Sequence, residues 1–431
     1  MNQTSNLGNK ENLHTITHNL NSALAEDNIE LKFFNNPDKF EWNEAKEFEI
    51  LKDMVNSQTN PIVSYEISLL LNLCEKWKKE FPLIQPYYAV KCLPQMPIIR
   101  AMNEFGFGYD CATIREIKQA LDIGVTPERI IYAHPIKPIH SIKFCKEHGI
   151  KMTTLDCESE IEKIAKFYPE MEIVIRLKKE RKDNTSIIDL DSKFGASISH
   201  GKSLFDKAIS AGLNVIGISF HVGWYTKNAD VYVQMLGSAK EMFDYANTKG
   251  VPMKLLDIGG GFLGVEPEDY SFIKTAAVIN QAIDDKFGQM IKEKKVKVIA
   301  EPGTYFNEDC QNTYYKVIKI IEQSDSEQTI MLNDGAFGSL NVLFDDFFIT
   351  PPVLCSRKVS QEEPDLLTQI MGNSFSKGSQ DYCSVDLKLP KLQTGDVLLL
   401  KDTGGYNLSF SRVYLDEDKT NKVFYSVTNS Q

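Results

Sequence analysis

Eight short apolar runs, each ending in a polar residue or glycine and each followed by a longer amphipathic segment, recur between residues 86 and 303. The runs cover residues 87–91, 106–111, 129–134, 152–156, 172–177, 215–222, 255–261 and 296–301. Helical periodicity marks segments between them, at 96–104, 115–121, 158–167, 201–210 and 230–247. Successive strand–helix units in this number predict an α/β chain built on a parallel (β/α)8 barrel of the TIM type. A doubly wound open sheet is the alternative, because periodicity does not reveal closure.

A second pattern follows residue 303, where strand-like runs are separated by turn signals. These runs cover residues 328–332, 340–344, 366–371, 396–400 and 422–427, and residues 28–34 offer a further strand from the other end of the chain. They predict a mostly antiparallel β-sheet domain. We therefore expect the barrel over residues 62–305, the β domain over residues 28–61 and 306–431, and a disordered polar tail over residues 1–27.

Charge and hydropathy exclude several classes of function. The chain has 431 residues, and its 48 Lys and Arg against 59 Asp and Glu give a net charge of -11 without a segregated basic patch, so we expect no nucleic-acid partner. No window approaches the run of about 18 apolar residues that a membrane helix needs. The polar start lacks a signal-peptide core, so we expect a cytoplasmic protein without a membrane partner. The eight cysteines have no zinc-like spacing, which predicts reduced, mostly buried thiols and no metal site.

The ends of the barrel strands are where we expect the chemistry, because the βα loops of such a barrel converge there. In chain order they offer Lys91, Asp110, His134, Asp156, Arg176, His221, Gly259, Gly260, Gly261 and Glu301. A lysine at the end of an apolar strand is partly desolvated and suits a Schiff-base nucleophile. For one lysine alone, a salt-bridged residue at the rim is the simpler explanation.

The other strand ends also have two interpretations each. The glycines at 259–261 expose backbone N–H groups that can hold a phosphate, or they form only a tight turn. Glu301 can keep a heteroaromatic nitrogen protonated or pair with a nearby cation. His221 can stack on a ring, act as an acid, or be a buried structural histidine. Together, one lysine, one phosphate loop, one carboxylate and one histidine on a single rim match the requirements of pyridoxal 5′-phosphate (PLP).

Nine segments, in order and with similar spacing, resemble the eukaryotic ornithine decarboxylase family. This family belongs to the fold-type III PLP-dependent basic amino-acid decarboxylases and also includes antizyme inhibitors. The segments are PYYAVKC (86–92), GYDCATIREI (108–117), ERIIYAHPIK (128–137), KFGA (193–196), SFHVG (219–223), LDIGGGF (256–262), AEPG (300–303), NDGAFGS (333–339) and GGY (404–406). The resemblance extends from about residue 60 to residue 431.

The resemblance implies a role for each matching residue. Lys91 would form the Schiff base, Glu301 would pair with the pyridine nitrogen and His221 would stack on the ring. The other implied contacts are Asp110, Glu116 and Arg176 in the polar shell, Gly259, Gly260, Gly261 and Tyr406 at the phosphate, and Asp346 at the distal amino group of the substrate. The family also implies a head-to-tail homodimer with active sites at its interface, and an antizyme-like regulator as a partner.

Departures from the family pattern bear on activity. Trp224 replaces a phosphate-binding serine, and Thr304 replaces an arginine that pairs with the phosphate, so we expect weaker cofactor binding. Residues 371–378 lack the cysteine and the aspartate of the family's Trp-Gly-Pro-Thr-Cys-Asp loop. Lys377 stands near the place of that aspartate, where a cation would repel the ammonium group of ornithine. Phe337 for tyrosine and His134 for asparagine are milder changes.

Three functions are therefore compatible with these residues. The first is PLP-dependent decarboxylation of a basic amino acid, with L-ornithine giving putrescine for polyamine biosynthesis, and the retained ring contacts favour it. The second is a catalytically impaired homologue that acts as an antizyme-inhibitor-like regulator, and the departures favour it. A decarboxylase of altered substrate choice is a third possibility, since the changed loop is where the side-chain amine would be read.

Overall fold

The structure, a computed structural model, describes residues 4–27, 29–36, 44–180, 191–336, 338–340, 352–358, 364–374, 382–407, 409 and 421–429. Residues 73–306 form one compact unit, and the described residues before 73 and after 306 form the other. Each unit has its own sheet.

The strands and helices follow in chain order. The strands are β1 (Leu31–Asn36), β2 (Ile62–Glu66), β3 (Ile84–Ala89), β4 (Gly108–Cys111), β5 (Ile130–Tyr132), β6 (Met152–Leu155), β7 (Glu172–Leu177), β8 (Asn214–Phe220), β9 (Leu255–Asp257), β10 (Lys297–Ala300), β11 (Gln311–Gln323), β12 (Glu327–Leu332), β13 (Val353–Leu354), β14 (Leu366–Met371), β15 (Tyr382–Leu389), β16 (Val397–Leu400) and β17 (Asn421–Asn429). The helices are α1 (Thr4–Glu26), α2 (Glu44–Ser57), α3 (Ile67–Glu80), α4 (Met96–Glu104), α5 (Ile114–Asp122), α6 (Ile139–Glu147), α7 (Glu158–Phe167), α8 (Ile198–Ser210), α9 (Asp230–Thr248), α10 (Phe272–Lys292) and α11 (Thr304–Asn307).

The first unit is a closed parallel barrel in the order β10-β3-β4-β5-β6-β7-β8-β9. Closure is made by β10, where Val298 lies opposite Ile84 of β3 on one side and Leu256 of β9 on the other. The predicted (β/α)8 barrel is confirmed, and the open-sheet alternative is wrong. Each of the eight apolar runs overlaps one barrel strand.

The inside of the barrel is filled by large apolar side chains. One cluster of buried residues comprises Tyr87, Ile131, Val174, Ile216, Leu255 and Ile299. Because these side chains come from six different strands, their packing fixes the strands relative to one another. The residues that follow the strands therefore start from a rigid base.

The second unit contains a nine-stranded sheet whose main path is β1-β17-β2-β11-β12-β14-β15, with β16 paired to β11 and β13 paired to β16. Neighbouring strands are antiparallel except in the pairs β1–β17, β2–β17 and β12–β14. The prediction of a mostly antiparallel sheet is confirmed. The expected strand at 28–34 overlaps β1, which pairs with β17 from the other end of the chain.

The start of the chain differs from its prediction. Residues 1–27 were expected to be disordered, but Thr4–Glu26 forms α1. Ile16, Leu20 and Leu24 are 6%, 0% and 0% exposed. Their spacing of four residues places them on one helix face. The asparagine-rich composition of the other faces hides this stripe in a composition-based prediction.

The predicted boundary at residue 62 is also wrong for β2. This strand was assigned to the barrel, but it pairs with β11 and β17 in the sheet of the second unit. Its first four residues are all buried. A strand covered on both faces has no alternation of polar and apolar residues, so its pattern is the same as that of a barrel strand. The predicted strand at 340–344 lies outside the described residues except for Leu340.

Neither a membrane-crossing helix nor a metal-binding cluster occurs in the part of the chain that the structure describes. No helix there has the length and apolarity to span a bilayer. Among the described residues, no group of three or more His, Cys, Asp or Glu side chains has an arrangement that could hold a metal ion. Of the cysteines, Cys74, Cys92, Cys111, Cys145 and Cys310 are free and buried, while Cys157 and Cys355 are free and partly buried.

Candidate active site

Lys91 and Asp110 meet at the carboxyl ends of neighbouring barrel strands. Lys91 lies in the short 3-10 turn that follows β3, and Asp110 lies in β4, paired with Ala89. The Lys91 ammonium donates a hydrogen bond to Asp110 Oδ2. Asp110 is fully buried, whereas 39% of the Lys91 side chain is exposed. The lysine is therefore paired with a buried carboxylate while part of its side chain remains exposed.

Glu116 lies close to this pair and also stabilises a helix. Thr113 is the N-cap of α5, and its hydroxyl donates to Glu116 Oε1 at 2.9 Å, while the Ala112 N–H donates to Glu116 Oε2 at 2.7 Å. This arrangement resembles a capping box, which fixes the start of the helix. Burial raises the pKa of Glu116, which the Lys91 charge lowers and the Asp110 charge raises.

The carboxyl groups of Asp257, which is buried, and Glu301, which is partly buried, lie at the ends of the neighbouring strands β9 and β10. Asp257 is paired with Ile299, two residues before Glu301, and Asp257 Oδ1 accepts the Gly259 N–H at 2.9 Å. Burial raises the pKa of Asp257 to about 7. Burial and the Asp257 charge raise the pKa of Glu301 well above its usual value. Glu301 Oε1 is buried and has no hydrogen-bond partner in the described structure.

Asp257 was not among the predicted site residues, although the sequence contained a signal for it. A carboxylate inside an apolar strand, directly before three glycines, is unusual because burial of a charge is unfavourable without a partner. The pairing with Glu301 depends on the neighbouring strand, and no sequence spacing revealed it.

The glycines after β9 form a tight loop against the end of β8. Gly259 and Gly261 have φ angles of 66° and 106°, which L-residues rarely adopt. A Cβ atom on Gly260 would lie 2.7 Å from the carbonyl oxygen of Glu301 and 2.9 Å from His221 Nε2. Only glycine fits at these positions, and the loop packs directly against the His221 ring.

His221 follows β8, and its Nδ1 accepts the Gly223 N–H at 3.1 Å. Burial lowers the pKa of His221 well below its usual value, and the charges of Arg176, Lys91 and Lys179 lower it further. His221 is therefore a neutral imidazole at physiological pH. Arg176 lies in β7 with its guanidinium carbon 5.2 Å from the centre of the Phe194 ring.

Lys179 was also missed by the sequence analysis. It lies two residues beyond β7 and is 8% exposed, with Nζ donating to the carbonyl oxygen of Val222 at 3.0 Å. Its Nζ lies 3.7 Å from Asp191 Oδ2, and its backbone N–H donates to the same oxygen at 3.2 Å. In the sequence, Lys179 is one of two adjacent lysines, and no pattern distinguished it from Lys178.

Asp156 and His134, the remaining strand-end residues, accept hydrogen bonds from nearby backbone N–H groups. Asp156 accepts the Gly195 N–H at 2.8 Å. His134 Nδ1 accepts the Ile136 N–H at 3.1 Å, and burial lowers the pKa of His134. Beside it, the side chains of Lys137 and Glu160 are both fully buried, with Nζ and Oε2 separated by 3.3 Å. This ion pair was not predicted, since each residue lay in an ordinary polar context in the sequence.

Two of the departures from the family pattern have visible structural consequences. The Thr304 hydroxyl donates to the carbonyl oxygen of Phe262 at 3.1 Å, and Thr304 is 4% exposed. The Trp224 ring contacts the Tyr225 ring edge-on, with their centres 5.7 Å apart. At these two positions the chain has a neutral hydroxyl and an indole, neither of which carries a charge.

Other predicted site residues lie elsewhere. Asp346, Phe337 and residues 375–378 are outside the described residues. Tyr406 belongs to the second unit, in the loop after β16, and has a φ of 57°. In the same loop, the Gly404 N–H donates to the carbonyl oxygen of Glu308 at 3.2 Å. The proposed phosphate contact of Tyr406 and the substrate contact of Asp346 remain predictions.

The chain is similar to several known proteins. The family model described as pyridoxal-dependent decarboxylase, pyridoxal binding domain, matches residues 68–308. The probable ornithine decarboxylase of Dictyostelium discoideum is 34% identical over 360 residues, which are 80% of this chain and 75% of that protein. Antizyme inhibitor 2 of Xenopus laevis is 34% identical over 379 residues, which are 84% of this chain and 81% of that protein. The arginine decarboxylase of Paramecium bursaria Chlorella virus, solved with agmatine, has a TM-score of 0.81 and 29% identity, and the match covers 88% of this chain and 99% of that one.

Proposed function

Because the chain belongs to the family of pyridoxal-dependent decarboxylases, we propose that it decarboxylates a basic amino acid with PLP bound at the carboxyl ends of the barrel strands. The observation that carries this proposal is the placement of Lys91 and Glu301 at one end of the barrel, near enough for the Lys91 charge to lower the pKa of Glu301. L-Ornithine is the first candidate substrate, with putrescine as the product.

The residues present fit PLP. Glu301 Oε1 is a buried polar atom without a hydrogen-bond partner in the described structure, which a pyridine N–H can satisfy. The loop at Gly259, Gly260 and Gly261 admits only glycine, because a Cβ atom there would collide with His221, Glu301 or neighbouring backbone. Glycine loops of this kind present backbone N–H groups to phosphates. Lys91 offers an accessible amine beside Asp110.

Each residue has a distinct task. When bound, PLP withdraws the electron pair that remains on the amino-acid Cα after carbon dioxide leaves. Glu301 would hold a proton between its carboxylate and the ring nitrogen, and Asp257 would keep that carboxyl oriented. His221, neutral and fixed through Nδ1, would cover one face of the ring. Asp110 would accept a hydrogen bond from the Lys91 ammonium and orient its amine toward the cofactor.

We expect the site to bind the phosphate group of PLP weakly. Where the family has an arginine, this chain has Thr304, whose hydroxyl already donates a hydrogen bond to the carbonyl oxygen of Phe262. A charge-assisted hydrogen bond to a phosphate is roughly twice as strong as a neutral one. We therefore expect this protein to bind PLP less tightly than a family member with that arginine.

The proposal includes further substrate and phosphate contacts, a dimeric assembly and a cellular location. Asp346 would contact the distal amine of the substrate, and Tyr406 would contact the phosphate. The protein would act as a head-to-tail homodimer in the cytoplasm. The named activities of the relatives, ornithine and arginine decarboxylase, favour a basic amino acid as the substrate class.

The second candidate function is that of an impaired homologue that binds an antizyme-like regulator. The loss of charge at Thr304 and the cysteine-free segment 371–378 favour it, as does the 34% identity to antizyme inhibitor 2.

One pair of measurements separates the two candidates. The purified protein incubated with PLP should show the visible absorbance of lysine-bound cofactor and should release carbon dioxide from ornithine, lysine or arginine. Lys91→Ala should abolish both signals, whereas Lys274→Ala, which changes an exposed lysine on α10, should preserve them. Absence of the absorbance and of carbon dioxide release in the unmodified protein would refute the decarboxylase proposal and leave the regulatory one.

A further inference from the structure

We propose that Lys179 is a positioning residue for His221, acting through the Val222–Gly223 peptide group to hold the imidazole neutral with its proton on Nε2. The proposal rests on the proposed function, in which His221 covers the cofactor ring. It assigns a task to a buried lysine that the resemblance gives no role.

One side of this peptide group receives a hydrogen bond from the lysine. Lys179 Nζ donates to the Val222 carbonyl oxygen at 3.0 Å. Lys179 is 8% exposed and Val222 is 0% exposed. A hydrogen bond from a charged group in such a water-poor setting is stronger than the same bond at the surface.

The other side of the same peptide group donates to the histidine. The N–H of Gly223 shares its peptide plane with the Val222 carbonyl, and it donates to His221 Nδ1 at 3.1 Å. Because the peptide bond is trans, the carbonyl and the N–H point in opposite directions. A cation on the carbonyl therefore polarises the amide and strengthens its N–H as a donor, by about 10–30% for such linked bonds.

The tautomer follows from this contact. Since Nδ1 of His221 accepts a hydrogen bond, the single proton of the neutral ring must lie on Nε2. The Nε2 edge faces Gly260, where a Cβ atom would lie only 2.9 Å away. The ring is thus fixed at Nδ1 by the peptide group and packed at its opposite edge against the glycine loop.

The surrounding cations also keep His221 neutral. After burial, the charges of Arg176 on β7, Lys91 after β3 and Lys179 after β7 lower the pKa of His221. The carboxyl groups of Asp257 and Glu301 at the neighbouring strand ends oppose this effect only in part, because their own pKa values are raised. Asp191 steadies Lys179 with its carboxylate, 3.7 Å from Nζ.

A neutral His221 matters for the proposed chemistry. Glu301 would keep the ring nitrogen of the cofactor protonated, so that the ring carries positive charge. An imidazolium over the same ring would be repelled by it. Lys179 therefore protects the stacking arrangement against protonation of His221 as the pH falls.

The test is a histidine titration by nuclear magnetic resonance on full-length protein labelled with ¹⁵N histidine and kept free of PLP, with His221→Gln to assign the signal. In the unmodified protein, His221 should remain in the Nε2–H form down to about pH 5. In Lys179→Met its protonation midpoint should rise by about one pH unit. Lys178→Met, which removes the neighbouring half-buried lysine, should leave the midpoint unchanged, and Lys179→Arg should restore it.

Either of two results would overturn the proposal. The first is an unchanged His221 midpoint in folded Lys179→Met. The second, which needs no variant at Lys179 and so applies even if that variant does not fold, is an unmodified protein whose His221 carries its proton on Nδ1 or titrates at the usual value near 6.5. Because the measurement uses cofactor-free protein, it gives its answer whether or not the protein proves to be a decarboxylase.

Discussion

Lys91 donates a hydrogen bond to the buried carboxylate of Asp110, which lies on the neighbouring strand of the barrel. This contact joins a partly exposed lysine to a fully buried carboxylate. The carboxylate favours the ammonium form of the lysine, whereas attachment of a carbonyl cofactor requires the neutral amine. The pair therefore links cofactor attachment to pH.

Asp110→Asn should shift the pH dependence of PLP attachment downward by about one unit, because the amide no longer favours the ammonium form. The measurement is the visible absorbance of lysine-bound cofactor as a function of pH. Asp122→Asn, an exposed change at the end of α5, should behave as the unmodified protein does. An unaltered pH profile in Asp110→Asn would show that the contact has no role in attachment.

Asp257→Asn should change how stability depends on pH. As pH rises above about 4, the unfolded state loses the Asp257 proton, while the folded state retains it until about pH 7. Folding then takes up a proton, so this group reduces stability increasingly between these values. Asparagine has no such proton, so the free energy of unfolding of the variant minus that of the unmodified protein should rise across this range.

Denaturant unfolding of the cofactor-free protein at several pH values measures this difference. Asp325→Asn changes an exposed aspartate between β11 and β12 and serves as the matched control, with a nearly constant difference. A flat difference for Asp257→Asn as well would mean that Asp257 is ionised in the folded protein.

Thr304→Arg should strengthen PLP binding about tenfold, because a guanidinium adds a charge-assisted hydrogen bond to the phosphate. Titration with PLP gives the dissociation constant, and the same titration with pyridoxal, which lacks the phosphate, should show no gain. Thr304→Ser keeps the hydroxyl and should leave both constants close to their original values. An equal gain for pyridoxal and PLP would place the effect away from the phosphate.

Glu160→Gln should destabilise the barrel by about 3 kcal/mol, because it leaves the buried Lys137 without its counter-ion. Burial already lowers the pKa of Lys137 to about 8. Replacing both residues, with Lys137→Met and Glu160→Leu, should recover part of the loss. Denaturant unfolding measures each variant, and Glu162→Gln on the exposed face of α7 should have little effect. A double variant that is no more stable than Glu160→Gln would contradict the assignment of the loss to an unpaired charge.

The sequence by itself located the eight strands and most of the active-site candidates, whereas closure of the strands into a barrel came from the tertiary structure. Strand and helix periods are local properties, so eight strands could be located from apolar runs and the residues at their ends read off in order. Lys91, Asp110, His221 and Glu301 were found in this way, and the structure brings them to one end of the barrel.

Only the tertiary structure decided which of these residues have partners and which unremarkable ones are buried. Asp257 pairs with Glu301 because β9 lies beside β10, and Lys179 reaches His221 through a peptide group that follows a different strand. In the same way, β2 joined the sheet of the second unit and α1 buried a stripe that its polar composition concealed. Burial and pairing depend on segments that are distant along the chain, so no local pattern contains them.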